Sequence, residues 1–354
     1  MKKVLKAVLI LILVILVAVA ALLGWLTATE YRPEAVEQVS VSLAGDVDTL
    51  KSGSELTVLS WNIGYGGLGR EADFFMDGGT QSKPDSKETA LRYLEGIRAA
   101  IADVNADLVM LQEVDINSSR TYSIDERPLL DQGMSCEAYA YNYSCPFVPV
   151  PVPPIGKVHS GLYTMSNDLR IDEAERIALP CPFSWPLRIA NLKRCLLVSY
   201  LPIEGSDKQL VLVNLHLEAY DSGEGKIAQT NQLREFILGE YEKGNYVIAG
   251  GDFNQVFPGS LGVYPNTHPE LWSVGELEAG MLPGEGWQFA YDTASPTCRL
   301  LNQPYDPTDT VNTQYYVIDG FILSPNVELS AVQTLPLDFE NSDHNPVQLT
   351  VKLK

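Results

Sequence analysis

The segment YVIAGGDFNQV, residues 246–256, decides the fold. Its apolar start is typical of a strand inside a sheet, and two glycines, Asp252 and Asn254 follow. Residues i and i+2 of an extended backbone point to the same face, so the Asp252 carboxylate and the Asn254 amide are expected side by side at the strand's exit. A tight turn uses the same residue types. Polar residues at the ends of other strands decide between the two interpretations.

Five further segments place polar side chains at predicted strand ends, nearly all of them after apolar runs: LSWNIG, LQEVD, VNLHLEAYD, VIDGF and NSDHNP. A buried polar side chain is costly unless it is paired or binds a metal. Six segments that share this pattern therefore predict one common site rather than six unrelated turns. The polar residues in the five further segments are Asn62, Glu113, His216, Asp319, and Asp343 with His344.

The residue types predict a particular chemistry. His216 and His344 can protonate or hydrogen-bond a phosphoryl oxygen near neutral pH, and Asp319 can hold one imidazole in a fixed tautomer. Together with a metal, these groups suit attack of water on a phosphoester. The hard oxygen ligands that Mg²⁺ or Mn²⁺ prefers over zinc come from four residues, Asn62, Glu113, Asp252 and Asp343.

The strands and helices predict an α/β fold with two sheets packed face to face and helices on the outer faces. Several strands are apolar at nearly every position, which indicates burial on both sides. Residues 87–105 have a helical repeat of apolar residues, and Asp85 with Glu88 at its start resembles a capping box. Residues 225–244 predict a second helix, with Gly244 as its stop.

In order along the chain, the motifs WN, QE, SG, H, GDFN, ID and SDH resemble those of the endonuclease/exonuclease/phosphatase superfamily, which includes DNase-type nucleases and neutral sphingomyelinases. The resemblance covers residues 56–353. It implies a four-layer α/β sandwich and a phosphoester substrate. It also implies Mg²⁺ or Mn²⁺ as cofactor, with Glu113 as the principal metal ligand, Asn62 beside it, and Asp343 as a ligand of this metal or of a second one.

The same resemblance implies roles for the remaining residues. Asp252 resembles the residue that orients or deprotonates the attacking water, and Asn254 the amide that steadies the developing phosphorane. His344 resembles the histidine that grips the scissile phosphate, paired with Asp319. His216 matches a second active-site histidine, which the nuclease and sphingomyelinase branches keep. Taken alone, His216 would more often be a core histidine, and Asp319 could be a turn residue, but within the ordered set of motifs the site interpretation is favoured for both.

The first 26 residues form a separate segment, in which residues 7–26 are apolar and uncharged. At ~1.5 Å per residue this run crosses a bilayer, so residues 1–26 are predicted as a transmembrane anchor. Lys2, Lys3 and Lys6 precede it, and positive charge stays on the cytoplasmic side. This predicts a single-pass protein of the cell membrane with an extracytoplasmic catalytic domain. A cleaved signal peptide, whose apolar part usually has ~7–15 residues, is the alternative.

The rest of the chain is predicted as one unit. Residues 27–54 read as a polar tether that holds at most one edge strand, and residues 55–354 as a monomeric catalytic domain. After the anchor the chain carries 22 basic and 45 acidic side chains. This balance disfavours an unassisted grip on a polyanion, so nucleic acid is expected as a substrate only.

The substrate stays open at this point. A phosphodiesterase acting on nucleic acid or on a phospholipid headgroup is predicted first. A phosphomonoesterase acting on a small soluble phosphate and a catalytically silent scaffold are the alternatives. Three insertions bear on this choice: residues 69–88, residues 117–122 with Arg120, and the proline-rich loop 146–156. Arg120 could clamp a phosphate or lie in a solvent loop, and the proline-rich loop could meet lipid or pack on a sheet edge.

Overall fold

The computed structural model describes residues 1–221, 223–309 and 311–354. Four α-helices and eighteen strands are present in these ranges. The helices are α1 (Lys2–Ala28), α2 (Lys87–Val104), α3 (Arg127–Leu130) and α4 (Glu224–Glu242). The strands are β1 (Val36–Val39), β2 (Val41–Leu43), β3 (Glu55–Asn62), β4 (Leu108–Asp115), β5 (Cys136–Val148), β6 (Gly156–Ser166), β7 (Glu173–Ala178), β8 (Cys195–Pro202), β9 (Gln209–His216), β10 (Tyr246–Asp252), β11 (Gln255–Val256), β12 (Gly275–Glu276), β13 (Gln288–Ala290), β14 (Cys298–Arg299), β15 (Tyr315–Tyr316), β16 (Asp319–Leu323), β17 (Val327–Thr334) and β18 (Val347–Leu353).

Two seven-stranded mixed sheets build the domain. The β10 sheet has the order β1-β7-β8-β9-β10-β16-β13, and the β3 sheet has the order β17-β18-β3-β4-β6-β5-β2. Each contains one parallel pair, β9 with β10 and β3 with β4, while its other neighbours are antiparallel. Three of these parallel strands end in residues predicted for the site, namely Asn62, His216 and Asp252, and Glu113 lies two residues before the end of β4.

The layers follow from which faces are apolar. Buried aliphatic side chains of both sheets, such as Val58 of β3 and Leu212 of β9, form the core between them. Leu94, Ile97 and Ile101 of α2 cover the outer face of the β3 sheet, while α4 packs on the outer face of the β10 sheet. The order helix, sheet, sheet, helix confirms the predicted α/β sandwich.

The helix ends differ in one detail from the sequence interpretation. The N-cap of α2 is Ser86, whose Oγ accepts a hydrogen bond from the Thr89 backbone N–H at 3.1 Å. Asp85, expected in that role, instead accepts from the Thr89 hydroxyl at 2.7 Å. Ser and Asp are about equally good N-caps, so spacing alone does not separate two neighbouring candidates. Gly244 lies just past the end of α4 with φ 90°, as its role as a stop requires.

Residues 27–54 are more ordered than a tether. β1 pairs with β7 at the edge of the β10 sheet, and β2 pairs with β5 at the edge of the β3 sheet. Asp48 and Leu50 form further bridges to Leu169 and Ile203. The sequence interpretation allowed one edge strand here, whereas the structure has two, one on each sheet. The segment that follows α1 therefore joins both sheets at their edges.

β10 ends in two glycines because its neighbours come too close for side chains. A Cβ atom on Gly251 would overlap the Leu215 carbonyl of β9, and one on Gly250 would overlap the Phe321 ring of β16. Gly251 also has φ 142°, a conformation that L-residues with side chains rarely adopt. These glycines let three strands converge at the residue that enters the site.

Replacing Gly251 with Ala is expected to lower the free energy of unfolding by several kcal/mol, because strained backbone and overpacking each cost about 1–3 kcal/mol. Urea unfolding of the full chain in detergent measures this. Gly239→Ala is the matched control. Gly239 lies in α4 with no atom within 4 Å of an added Cβ, so this change should stabilise the helix by up to about 1 kcal/mol. Equal stability of the two variants would contradict the close approach of β9 and β10.

Candidate active site

The eight predicted site residues come together at one cleft of about 540 Å³. Seven of them line it, and Asp319 lies directly behind His344, with which it forms a hydrogen bond. A larger cavity of about 740 Å³ is lined by residues such as Tyr139, Tyr141 and Arg176 and contains none of the eight. The seven lining residues are Asn62, Glu113, His216, Asp252, Asn254, Asp343 and His344.

The register of paired strands places three of these side chains next to each other. His216 and Asp252 are the last residues of the parallel strands β9 and β10 and lie opposite each other. Asp319, the first residue of β16, pairs with Asp252 on its other side. His216 Nε2 is 3.6 Å from Asp252 Oδ2. The carboxylate of Asp252 therefore stands between an imidazole and a second acid by the pairing of the strands alone.

Asn62 connects the two sheets at the cleft. As the last residue of β3, it donates from Nδ2 to Asp252 Oδ2 at 3.0 Å and to Glu113 Oε1 at 3.2 Å. Its Oδ1 accepts from the Gly64 backbone N–H at 3.0 Å. The amide is thereby fixed between two acids from different sheets.

Glu113 reaches the cleft through an irregular strand. The β4–β6 register shifts between Leu111 and Val114, and Glu113 has φ 59°. A positive φ is uncommon for a residue with a side chain and marks local strain, which occurs often at functional sites. The bulge turns Glu113 away from the alternation of its strand and towards Asn62.

Asp252 and Asn254 are neighbours, although not on extended backbone. β10 ends at Asp252, and Asn254 has φ 50°. The Asn254 backbone N–H donates to Asp252 Oδ1 at 2.8 Å, while its Nδ2 donates to the Leu217 carbonyl at 2.8 Å. The segment thus forms an Asx-type turn and still presents the Asp252 carboxylate to the cleft. The turn and the site interpretations describe the same geometry.

His344 and Asp319 form a buried pair, in which Nδ1 of His344 is 2.8 Å from Oδ2 of Asp319. Burial alone would lower the pKa of His344. The negative charge of Asp319, with Cys298 and Asp343 also nearby, outweighs this effect and raises that pKa well above its ordinary value. This shift favours the protonated form of His344, whose Nε2 edge faces Asp252 and Asp343 at 3.8 and 3.9 Å.

The acids of the cleft have the environment that a bound cation requires. Burial, with Asp319 adding to it, raises the pKa of Asp252 to about 7. Burial and the charge of Glu113 raise the pKa of Asp343 to about 7. Within the described ranges no Lys or Arg forms an ion pair with Glu113, Asp252 or Asp343. A divalent cation held by oxygen ligands fits this group, because it supplies the positive charge that the side chains lack.

Two compact groups of possible ligand atoms lie at the base of the cleft, each within 4.8 Å: Asp252, Asp319 and His344, and Cys298, Asp343 and His344. Glu113 belongs to neither and reaches the cluster through its contact with Asn62. The oxygen-rich side formed by Glu113, Asn62 and Asp343 suits Mg²⁺ or Mn²⁺, whereas a side with Cys298 suits a softer ion.

Comparison with known families agrees with this geometry. The sequence model described as the Endonuclease/Exonuclease/phosphatase family matches residues 59–344, a span that includes all eight site residues. The chain belongs to the Endonuclease/Exonuclease/phosphatase family. Comparison with curated proteins gave no match.

Solved structures of this family share the fold at low sequence identity. An endonuclease/exonuclease/phosphatase from Beutenbergia cavernae DSM 12333 aligns with a TM-score of 0.56 and 17% identity over 84% of this chain and 72% of that chain. ANGEL2, described as a 2',3'-cyclic phosphatase, aligns with a TM-score of 0.53 and 16% identity over 90% of this chain and 99% of that chain. The human Nocturnin catalytic domain aligns with a TM-score of 0.51 and 17% identity over 89% of this chain and 98% of that chain.

Some residues at the site of this family member were not singled out from the sequence. Cys298, one of five free cysteines, lines the cleft, and burial raises the pKa of its thiol to about 12. Arg194 lies in a basic cluster that resembles a solvated edge, but its side chain is 4% exposed. It pairs with Glu218 at 3.2 Å and donates to the His216 carbonyl at 3.1 Å. His216 itself is buried, and burial with the charge of Arg194 lowers its pKa well below the usual value.

Residues from the insertions 69–88 and 117–122 border the cleft. Arg120 forms two hydrogen bonds to Asp115, at 2.9 and 2.8 Å, and stacks on Tyr65 with 3.6 Å from its guanidinium carbon to the ring centre. It borders the cleft with its charge already paired. Asp77, from the insertion 69–88, also borders the cleft and accepts from the Tyr220 hydroxyl at 3.1 Å. His159 bonds to Ser144 and is outside the cleft lining.

Asp319→Asn should lower turnover by about 10–100-fold, the usual effect of losing a carboxylate behind a functional histidine. Asp319 raises the pKa of His344, so the variant lowers that pKa, and His344 loses its charge at a lower pH. The alkaline limb of the rate–pH profile should therefore move to lower pH. Asp103→Asn, on the exposed face of α2, is the control and should leave the profile unchanged. An unshifted profile in Asp319→Asn would contradict the role of the pair.

Proposed function

We propose that this protein is a membrane-anchored phosphodiesterase that uses Mg²⁺ or Mn²⁺ and has its catalytic domain outside the cytoplasm. One observation carries the chemistry: two buried acids, Asp252 and Asp343, the half-buried Glu113 and the Asn62 amide converge beside the His344–Asp319 pair. Membership of the Endonuclease/Exonuclease/phosphatase family supports the phosphoesterase class. Among the structural relatives, ANGEL2 is described as a 2',3'-cyclic phosphatase, so the same fold hydrolyses a phosphodiester in that protein.

The charge of the cleft favours a diester over a monoester. Arg120 is paired with Asp115 and Arg194 with Glu218, so neither offers a full positive charge to the substrate. A phosphodiester carries one negative charge, whereas a monoester carries nearly two at pH 7. The carboxylates of Glu113, Asp252, Asp319 and Asp343 offset much of the positive charge that His344 and one bound metal ion would supply. The small net charge that remains matches the single charge of a diester more closely. The competing phosphomonoesterase predicts the reverse preference between bis- and mono-p-nitrophenyl phosphate.

Each side chain of the site has its own role in the proposed reaction. Glu113, Asn62 and Asp343 would hold the metal, which when bound supplies positive charge to the phosphate oxygens. Asp252 accepts a proton from the attacking water as its oxygen bonds to phosphorus, and the bond from phosphorus to the leaving oxygen breaks. The leaving oxygen takes a proton from solvent. His344 donates from Nε2 to a phosphoryl oxygen, and Asn254 keeps Asp252 in position.

The anchor is supported by both composition and packing. α1 has a mean hydropathy of 3.3 over its most apolar window and is long enough to cross a membrane, a test that a signal sequence also passes. Its last turn, however, packs on the domain: Leu26 is buried against Val148 and Ile189. Glu30, just after the helix, pairs with Arg188 and Lys193 at 3.2 and 3.3 Å. Cleavage would remove a part of the folded structure, which favours a retained anchor.

Chelation with EDTA is expected to abolish hydrolysis of bis-p-nitrophenyl phosphate by the full chain in detergent, and Mg²⁺ or Mn²⁺ should restore it. Glu113→Gln keeps the shape of the side chain and removes its charge. It should weaken Mg²⁺ binding, measured by calorimetry, by at least about 10-fold. Glu235→Gln, on the exposed face of α4, is the matched control and should bind as the natural chain does. Full activity in the chelator would refute the metal assignment.

Asp252→Asn should reduce turnover of the same diester by about 10²–10⁴-fold, the scale of a lost general base. The variant keeps an oxygen that can accept from the Asn254 N–H, but its NH2 group faces the Asn62 Nδ2 donor, so it should be less stable than the natural chain. Turnover is therefore compared below its unfolding temperature. Thermal unfolding and the affinity for inorganic phosphate measure whether the fold and the phosphate site remain intact. Unchanged turnover would leave Asp252 with only its role in the turn.

A further inference from the structure

The cleft is apolar at the end away from the acids. It runs from the acid cluster to the last turns of α1. At that distant end the walls are Leu23 and Leu26 of α1, Val148 and Val150 of the β5–β6 connection, and Leu187 and Ile189 of the segment before β8. A volume of about 540 Å³ is in the range of small-molecule sites. We call this end the apolar groove.

The helix predicted to cross the membrane is part of the groove wall. Leu26 is 3% exposed, and the end of α1 is held by polar contacts as well as by packing. Trp185 Nε1 donates to Thr27 Oγ1 at 3.1 Å, and Glu30 is paired with Arg188 and Lys193. These contacts fix the groove at the end of the helix, and therefore at the membrane surface if α1 spans the bilayer.

Apolar side chains surround the mouth of the groove. Val150 and Val152 are 55% and 94% exposed, and Trp185 and Leu187 are 53% and 66% exposed. Such a patch around an opening marks a surface that meets lipid or protein, and Trp is enriched at membrane interfaces. One part of the proline-rich loop therefore packs inward through Val148, while the tip of the loop, with Val150 and Val152, faces outward.

The basic residues near the groove are held in ion pairs with acids rather than spread along it as a track. Arg32, Arg188 and Lys193 share the one carboxylate of Glu30, and Arg194 is paired with Glu218. A nucleic-acid strand needs free positive charge along its backbone and aromatic platforms for its bases. An alkyl chain needs only apolar walls, which is what this end of the cleft supplies.

We propose that the apolar groove holds a hydrocarbon chain of a membrane phospholipid while the phosphodiester of its headgroup reaches the acid cluster. This inference rests on the proposed function and names its substrate class. Hydrolysis adds water across one phosphorus–oxygen bond and yields a phosphomonoester and an alcohol. The anchor keeps the enzyme and a lipid of the same leaflet together, which raises the effective concentration of the substrate.

Photolabelling tests the groove without any need for turnover. The full chain is placed in phosphatidylcholine vesicles with EDTA and a phosphatidylcholine that carries a diazirine near the start of one chain. Label mapped by mass spectrometry is expected at residues 74–76 and 189–192, which line the cleft, in addition to α1. Label confined to α1 would overturn the proposal.

Turnover tests the same groove through chain length. Phosphatidylcholine, phosphatidylglycerol and phosphatidylethanolamine with long chains should each be compared with their dibutyryl forms, and bis-p-nitrophenyl phosphate added as a soluble diester. At least one lipid is expected to show about a 10-fold preference for long chains. The double variant Val150→Ser, Leu187→Ser should lose that preference and keep hydrolysis of the soluble diester. Val263→Ser is the control, because Val263 is 53% exposed and lies outside the groove. This variant should retain the preference for long chains.

The outcomes separate the two proposals. If the soluble diester is hydrolysed but no long-chain lipid is hydrolysed or labels the groove, the groove proposal fails and the proposed function stands. Faster hydrolysis of an oligonucleotide than of any lipid, unaffected by the double variant, also overturns the groove proposal. If no phosphodiester of any kind is hydrolysed with Mg²⁺ or Mn²⁺, the proposed function itself fails.

Discussion

The hydrogen bond from Asn62 Nδ2 to Asp252 Oδ2, at 3.0 Å, joins the two sheets at the cleft. Asn62 ends a strand of one sheet and Asp252 ends a strand of the other, so this contact requires both sheets to be packed in register. A second buried link supports it below, where Gln112 Nε2 donates to Asn214 Oδ1 at 2.8 Å. Buried polar contacts of this kind specify one arrangement, because any slip leaves polar groups without partners. The site and the sheet packing therefore depend on each other.

The same dependence explains which parts of the fold could be predicted from the sequence. Strands buried on both faces, such as β9 and β10, are continuous apolar runs and were predicted. β5 was missed because residues 136–148 alternate between buried and partly exposed positions, so no apolar run marks them. β17 lies at a sheet edge with half of its side chains exposed. β1 and β2 were allowed for only as a single edge strand, because each is too short to carry a periodic signal of its own. Edge strands take their identity from the sheet they join, which is a tertiary property.

The eight predicted site residues meet in the structure because each one lies at or near the end or the start of a strand, and these strand ends gather at one edge of the sandwich. Residues that contribute only through a tertiary contact are not marked by a place at the end of an apolar run. Arg194 looked solvated until Glu218 was placed against it, and Cys298 belongs to a two-residue strand. The positive φ angles of Glu113 and Asn254 were also beyond prediction. They arise because the surrounding strands force the backbone into place, and strain of this kind persists only in a rigid frame.

The cleft joins two surfaces that are each unfavourable alone. Its inner end buries several acids without Lys or Arg partners, which costs stability until a cation binds. Its outer end exposes apolar side chains, which is unfavourable in water. Both costs fall when a divalent ion occupies one end and a membrane covers the other. A soluble hydrolase has no use for the second feature, and the packing of Leu26 and Glu30 shows that the end of α1 is built into that part of the domain. The position of α1 and the polarity of the cleft thus fit the arrangement proposed above, in which the catalytic end faces inward and the apolar end faces the bilayer.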